Sequence, residues 1–234
     1  MKMINRWLAI AATGALGACA ALPVPKAPTL VPPPLPQQAF SNELRLSTVI
    51  ARMQPSDAIL NVQYGWACLP AGSRALQTNR LPVIPEDMTA AFKAVLEPLR
   101  YKIERESESV FVPRNGPAAE LLVGATVKRI EASLCFPFVG SPALNVGDPS
   151  LVKGKLFAQV TWEIFSVSRG AVVYTGTTEG TFEIDRTVTG GVGTMVLNAF
   201  MVNLANLAAN DEFRTHVQKP PVPSRQAAPL AAKP

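Results

Sequence analysis

The chain has one histidine, His216, three cysteines, Cys19, Cys68 and Cys135, and few aromatic residues at 7% of the total. A lone histidine cannot serve a multi-histidine metal centre. No cysteine pair has zinc-site spacing, so no metal and no cofactor is expected. No Gly-Lys-Ser/Thr ending follows the glycine-rich stretch Thr187 to Thr194, and its spacing is not that of a dinucleotide fingerprint. A mobile loop is the simpler reading of it. Ser47, Ser56 and Ser73 lie in no nucleophile-elbow context, and His216 falls near the end of the last helical pattern in basic surroundings. A nucleophile with a partnered base is therefore not legible, and no catalytic residue is assigned.

The charge balance, +5 with a pI near 9.3, invites a nucleic-acid reading that its distribution removes. All 17 acidic residues lie between Ser41 and Phe213, where 15 Lys and Arg leave the body at −2. The surplus sits outside: Lys2, Arg6, Lys26, Arg214, Lys219, Arg225 and Lys233. A near-neutral body gives no basic footprint, so no nucleic-acid partner is expected.

The first residues give an address. A Met1-Lys2-…-Arg6 head precedes the apolar run from Trp7 to Leu16, about half the ~20 residues that span a bilayer. Such a head and run, ending in small residues, make a signal peptide rather than a membrane helix. No later segment reads as long and apolar enough to span. Leu16-Gly17-Ala18-Cys19 resembles the lipobox of bacterial lipoproteins. That resemblance implies a signal peptide over 1–18, acylation (palmitate) at Cys19 and membrane attachment through the lipid. Ordinary signal cleavage after Ala18 or Ala20 is the alternative. Ala20, where enterobacterial inner-membrane lipoproteins carry Asp, implies the periplasmic face of the outer membrane.

Residues 19–40 then read as a lipidated tether. Prolines at 23, 25, 28, 32, 33, 34 and 36 favour polyproline II, which at ~3.1 Å per residue would be a spacer reaching ~60 Å. The expected body spans 41–215, and residues 216–234 read as a disordered Pro/Ala-rich tail. In an exported chain Cys68 and Cys135 are candidates for a disulfide, two separate buried thiols being the other possibility.

Within the body, Leu44 to Met53 suggests a short helix capped by Ser41, and Ile59 to Cys68 alternates as a strand. Arg74 to Pro82 reads as loop, and Glu86 to Arg100 as a helix with Met88, Phe92, Val95, Leu96 and Leu99 on one stripe. Pro98 should kink or end it. Strands follow at Tyr101–Val112 and Glu120–Phe136, then a hairpin over Lys155–Asp185 whose Gly176 and Gly180 leave space for bulky neighbours or mark a bulge. Thr194 can cap a last helix running to about Phe213, with Asn203 on its inward face. Glu104, Glu106 and Glu108 read as the solvated face of an edge strand. Tyr64, Trp66, Trp162, Tyr174 and Phe182 read as core.

The order implies an α+β fold: an antiparallel sheet of about five strands with two main helices on one face. It is similar in element order to small envelope lipoprotein domains, the auxiliary lipoproteins of lipid-export transporters and the curli-exporter/TolB-N-terminal type. The expected role is a non-enzymatic interaction or assembly module working with other envelope proteins, or alternatively a carrier of lipid or a small apolar ligand.

Overall fold

A computed structural model describes residues 23–36, 41–76, 79–104, 119–137 and 150–219. The lipobox with Cys19, Glu106, Glu108, most of the expected strand over 101–112 and the chain beyond Lys219 lie outside them.

The fold is α+β, built on one six-stranded sheet with three helices. Strands β1 (Leu44–Ala51), β2 (Ala58–Tyr64), β3 (Leu69–Ala75), β4 (Leu121–Phe136), β5 (Leu151–Ser166) and β6 (Ala171–Thr189) are joined by helices α1 (Pro85–Leu96), α2 (Gly191–Ala208) and α3 (Asp211–Val217). The order across the sheet is β3-β2-β4-β5-β6, with β1 also on β4. β1 pairs with the first half of β4, up to Val127, and β2 with the second half, from Ile130. Both run parallel to β4, so the sheet is mixed rather than antiparallel.

Two one-residue irregularities explain where the sequence misleads. The expected helix over 44–53 is strand β1. A register shift between Leu46 and Thr48 moves the apolar set from Leu44 and Leu46 to Val49 and Ala51. A period of two interrupted by a bulge mimics helical spacing, while the β-branched run Thr48-Val49-Ile50 prefers the pleat. In β4 the shift between Val127 and Arg129 likewise separates Val123, Ala125 and Val127 from Ile130, Ala132 and Leu134. Strand β2 ends at Tyr64, where Gly65 (φ 80°) and Cys68 (φ 51°) make the turn, and β3 occupies part of the expected loop.

Helix α1 starts on Pro85 and stops at Leu96. Pro98 cannot donate, and Arg100 in the left-handed region (φ 68°) turns the chain away. Helix α2 begins three residues before Thr194, with Gly190 (φ 91°) in the cap position. The Thr194 hydroxyl instead donates to the Thr189 carbonyl. The glycine-rich stretch is thus the first turn of a packed helix: a Cβ on Gly193 would lie 2.6 Å from the Pro82 carbonyl oxygen. The last helix is broken near Ala209, and Asn210 caps the separate α3 through its bond from the Phe213 amide. The fold also runs past residue 215, since Val217 is fully buried and Gln218 bridges to Ser41. α2 has the length and hydropathy of a membrane span, but it is the core helix, packed on β5, β6 and α1.

A buried polar chain fixes α2 on the sheet. The Trp162 indole N–H donates to Thr178 Oγ1 (2.8 Å), and that hydroxyl donates to Asn203 Oδ1 (2.7 Å). Asn203 Nδ2 donates to the carbonyls of Ala158 (3.1 Å) and Ala199 (3.0 Å). Gly180 makes room for this amide: a Cβ there would sit 2.6 Å from Asn203 Nδ2 and 2.9 Å from the Ala199 carbonyl oxygen. Gly176 does the same for the Tyr174 ring. Asn203→Leu, which orphans buried partners, should destabilise the body by about 1–3 kcal/mol, and Gly180→Ala by about 1–3 kcal/mol through overpacking. Urea titrations followed by Trp162 fluorescence would check both.

Candidate anchoring site

Residues 23–36 of the expected spacer are docked on the body instead of standing free of it. Polyproline II has no internal hydrogen bonds, so its amides and carbonyls are open to outside partners. Val24 O accepts from Lys155 Nζ (3.1 Å) on β5. The Ala27 amide donates to Thr181 Oγ1 (2.8 Å), and that hydroxyl reaches the Pro25 carbonyl (3.3 Å). Asn206 on α2 accepts from the Leu30 amide (2.8 Å), while its Nδ2 donates to the carbonyls of Pro28 (2.9 Å) and Glu179 (2.6 Å). At the far end the Leu35 amide donates to the Leu99 carbonyl (3.0 Å), and the Leu35 side chain is fully buried. Ala27 is buried too. Residues 23–36 form a strap over the β6 edge and α2, and their prolines keep that edge from pairing with another chain.

The strap begins beside Lys155. Lys155 pairs with Ser133 of β4, which pairs with Asn61 of β2. Three residues further along β2, at Tyr64, the β2–β3 hairpin turns. The structure joins Cys68 in this turn to Cys135 of β4, with Cα atoms 5.3 Å apart across a separation of 67 residues. The bridge ties the hairpin to the centre of the sheet. Trp66, expected in the core, stands 88% exposed at the tip, because the turn of Gly65 and Cys68 points it away from both faces.

At the opposite end of the sheet, the C-terminal residues close the body. Lys219 Nζ lies 2.7 Å from Glu120 Oε1, and this bond holds the Glu120 carboxyl below its ordinary pKa. Tyr101, whose hydroxyl donates to the Ala208 carbonyl, is pushed up to about 12 by burial, the nearby Arg214 partly opposing it. His216 lines an open cleft with Glu120, Ser166, Ser168 and Lys219, and its ring lies 5.8 Å from that of Tyr174. The two serine hydroxyls bond each other (3.2 Å). Ser73, on exposed β3, donates to Asn61 Oδ1 (2.6 Å). Glu104 is buried, not a solvated edge residue: the 102–104 segment pairs with Leu44, placing its carboxylate 3.4 Å from Arg45 Nε. Trp162 and Tyr174 are buried, and Tyr64 and Phe182 partly so. Among the described residues no group of His, Cys, Asp and Glu could hold a metal ion.

A second cleft, of about 710 Å3, opens between β1 and residues 79–85 at the start of α1, lined by Leu46, Val49, Leu81, Val83, Ile84 and Met88 among others. Ser47, Thr48, Asn79, Arg80 and Thr89 add polar groups to its lining.

No family model matches the sequence, and no curated protein matches it. Among solved structures the chain is similar to a DUF330 protein from Xanthomonas campestris, at 13% identity and a TM-score of 0.36, covering 82% of this chain and 94% of that one. It is similar also to the PelC dodecamer from Paraburkholderia phytofirmans, at 13% identity and a TM-score of 0.31, covering 79% of this chain and 91% of that one. A candidate lipoprotein from Caulobacter crescentus is similar at 14% identity and a TM-score of 0.22, covering 56% and 75%.

Asn206→Ala should cost about 1–3 kcal/mol, because three backbone groups lose their partner. It should also expose the Lys26–Ala27 bond to trypsin, where the wild type resists; gel analysis of timed digests would check this. Replacing Cys68 and Cys135 by serine should lower stability by about 2–5 kcal/mol. Non-reducing peptide mapping of the wild type should recover the two as one linked peptide.

Proposed function

We propose that the chain is a lipoprotein of the outer membrane, acylated at Cys19 and facing the periplasm, whose α+β body is a non-enzymatic interaction or assembly module of an envelope complex. The observation that carries this reading is the strap. A proline-rich segment shortly after the lipobox-like Leu16-Gly17-Ala18-Cys19 is bonded through residues 24–30 to α2, β5 and β6. Only the short stretch between Cys19 and the strap would then separate anchor from body. The body is held against the membrane in a set orientation, which suits a component that must meet partners in a fixed register.

This differs from a body presented on a long leash. Loss of the strap would expose the buried Leu35 site and leave Asn206 with only its Glu179 bond, so its deletion acts on stability as well as position. Side chains of the types that catalysis uses have structural occupations here: Ser73 with Asn61, Glu104 with Arg45, His216 beside the Tyr174 ring. The cleft between β1 and α1 favours a second reading, in which the body receives a lipid or small apolar ligand.

Two measurements test the proposal. Cys19→Ser should move the protein from the membrane to the soluble fraction and remove the lipid mass from the N-terminal peptide. Cross-linking in intact envelopes should join the body to the same small set of envelope proteins repeatedly. An unmodified N-terminal peptide in the wild type would refute the anchor, and turnover of a substrate abolished by one substitution would refute the binding role.

A further inference from the structure

The β2–β3 hairpin tip carries an apolar pair that the fold does not use. Trp66 is 88% and Leu69 66% exposed, whereas Trp162 is fully buried. The display is rigid, because Gly65 and Cys68 hold left-handed backbone and the Cys68–Cys135 bridge pins the turn to β4. The tip also lies at the end of the sheet where the strap leaves the body. Lys155, which holds the Val24 carbonyl, is two strands from Asn61, and the turn begins three residues beyond Asn61. With strands ~4.8 Å apart and ~3.3 Å per residue, Lys155 and Tyr64, where the turn begins, are about 14 Å apart across the sheet, so tip and exit lie at the same end. Only three residues lie between Cys19 and Pro23, a reach of at most about 14 Å over the four steps.

We propose that the Gly65–Leu69 tip is a second membrane contact, in which Trp66 and Leu69 enter the lipid interface beside the Cys19 anchor. This rests on the reading of Cys19 as the anchored residue. A surface that holds Cys19 within about 14 Å of Pro23 is brought to the level of the tip. Tryptophan is the side chain best suited to that depth, having an apolar ring and an N–H that stays hydrated. Charged residues near this end include Lys153, opposite Cys135, and the Lys155–Glu183 pair, while the proposed contact itself is the apolar pair Trp66 and Leu69. Two insertion points, lipid and indole, would fix tilt as well as distance.

The mature chain has two tryptophans, so the difference between wild-type and Trp66→Phe emission reports Trp66 alone. The chain from residue 19, with a hexahistidine tag in place of Cys19, is tethered to phosphatidylcholine vesicles containing nickel-chelating lipid. The expected result is a blue shift of the difference spectrum on tethering, quenching by brominated phosphatidylcholine, and no loss of either at high salt. A difference spectrum that stays at the water-exposed position and unquenched overturns the proposal. So does a blue shift that appears without vesicles as protein concentration rises, which would give the tip to a second copy of the chain. Because the tag replaces the acyl group, this result is independent of whether Cys19 is acylated. A wild-type N-terminal peptide without lipid mass would sink the anchor reading alone.

Discussion

Two asparagines one turn apart on α2 govern how the molecule holds together. Asn203, with no exposed surface, satisfies both its amide donors and its acceptor inside the core, joining α2 to β5 and, through Thr178, to β6. Asn206, three residues on and on nearly the same face, spends the same chemistry on the β6 carbonyl of Glu179 and on the strap. An amide side chain supplies two donors and an acceptor in one plane. At these positions it bridges backbone groups that no ladder can reach. Leucine at either place would fill the volume and orphan the partners, which is costlier than the apolar surface gained.

The strap changes what the N-terminal region means physically. Proline-rich chain is ordinarily treated as a stiff spacer whose length sets reach. Here its lack of internal hydrogen bonding makes it receptive: backbone groups of Val24, Pro25, Ala27, Pro28 and Leu30 meet Lys155, Thr181 or Asn206. The prolines contribute in the other direction, restricting the unbound segment so that docking costs less conformational entropy. Residues 23–36 are thereby part of the folded body rather than free chain.

Much of the sheet was legible from alternation alone. The β5–β6 hairpin reads directly from Leu156, Ala158, Val160, Trp162 and Ile164, and Gly180 reads as a place where something approaches closely. β1 was not legible, because its bulge at Ser47 turns a period of two into spacing that resembles a helix. The parallel pairing of β1 and β2 along the same edge of β4 depends on contacts between residues about 70 apart, which no local pattern records. Trp66 misled for a related reason: it continues the alternation of β2, but the chain has already turned at Gly65. Of the anchoring site, the tether and Cys68 with Cys135 could be named from composition and context. Asn206 could have been suspected only as a polar residue interrupting an apolar helix, beside the buried Leu204 and Leu207.

The central claim is that the proline-rich segment is part of the folded body. Amide hydrogen exchange on the chain from residue 19 tests it most directly, read at Ala27, Leu30 and Leu35, whose N–H groups are held by Thr181, Asn206 and Leu99. The account predicts that these three amides are protected and that Asn206→Ala releases Leu30. Exchange of all three at the rates of an unstructured peptide, with α2 still protected, would contradict it.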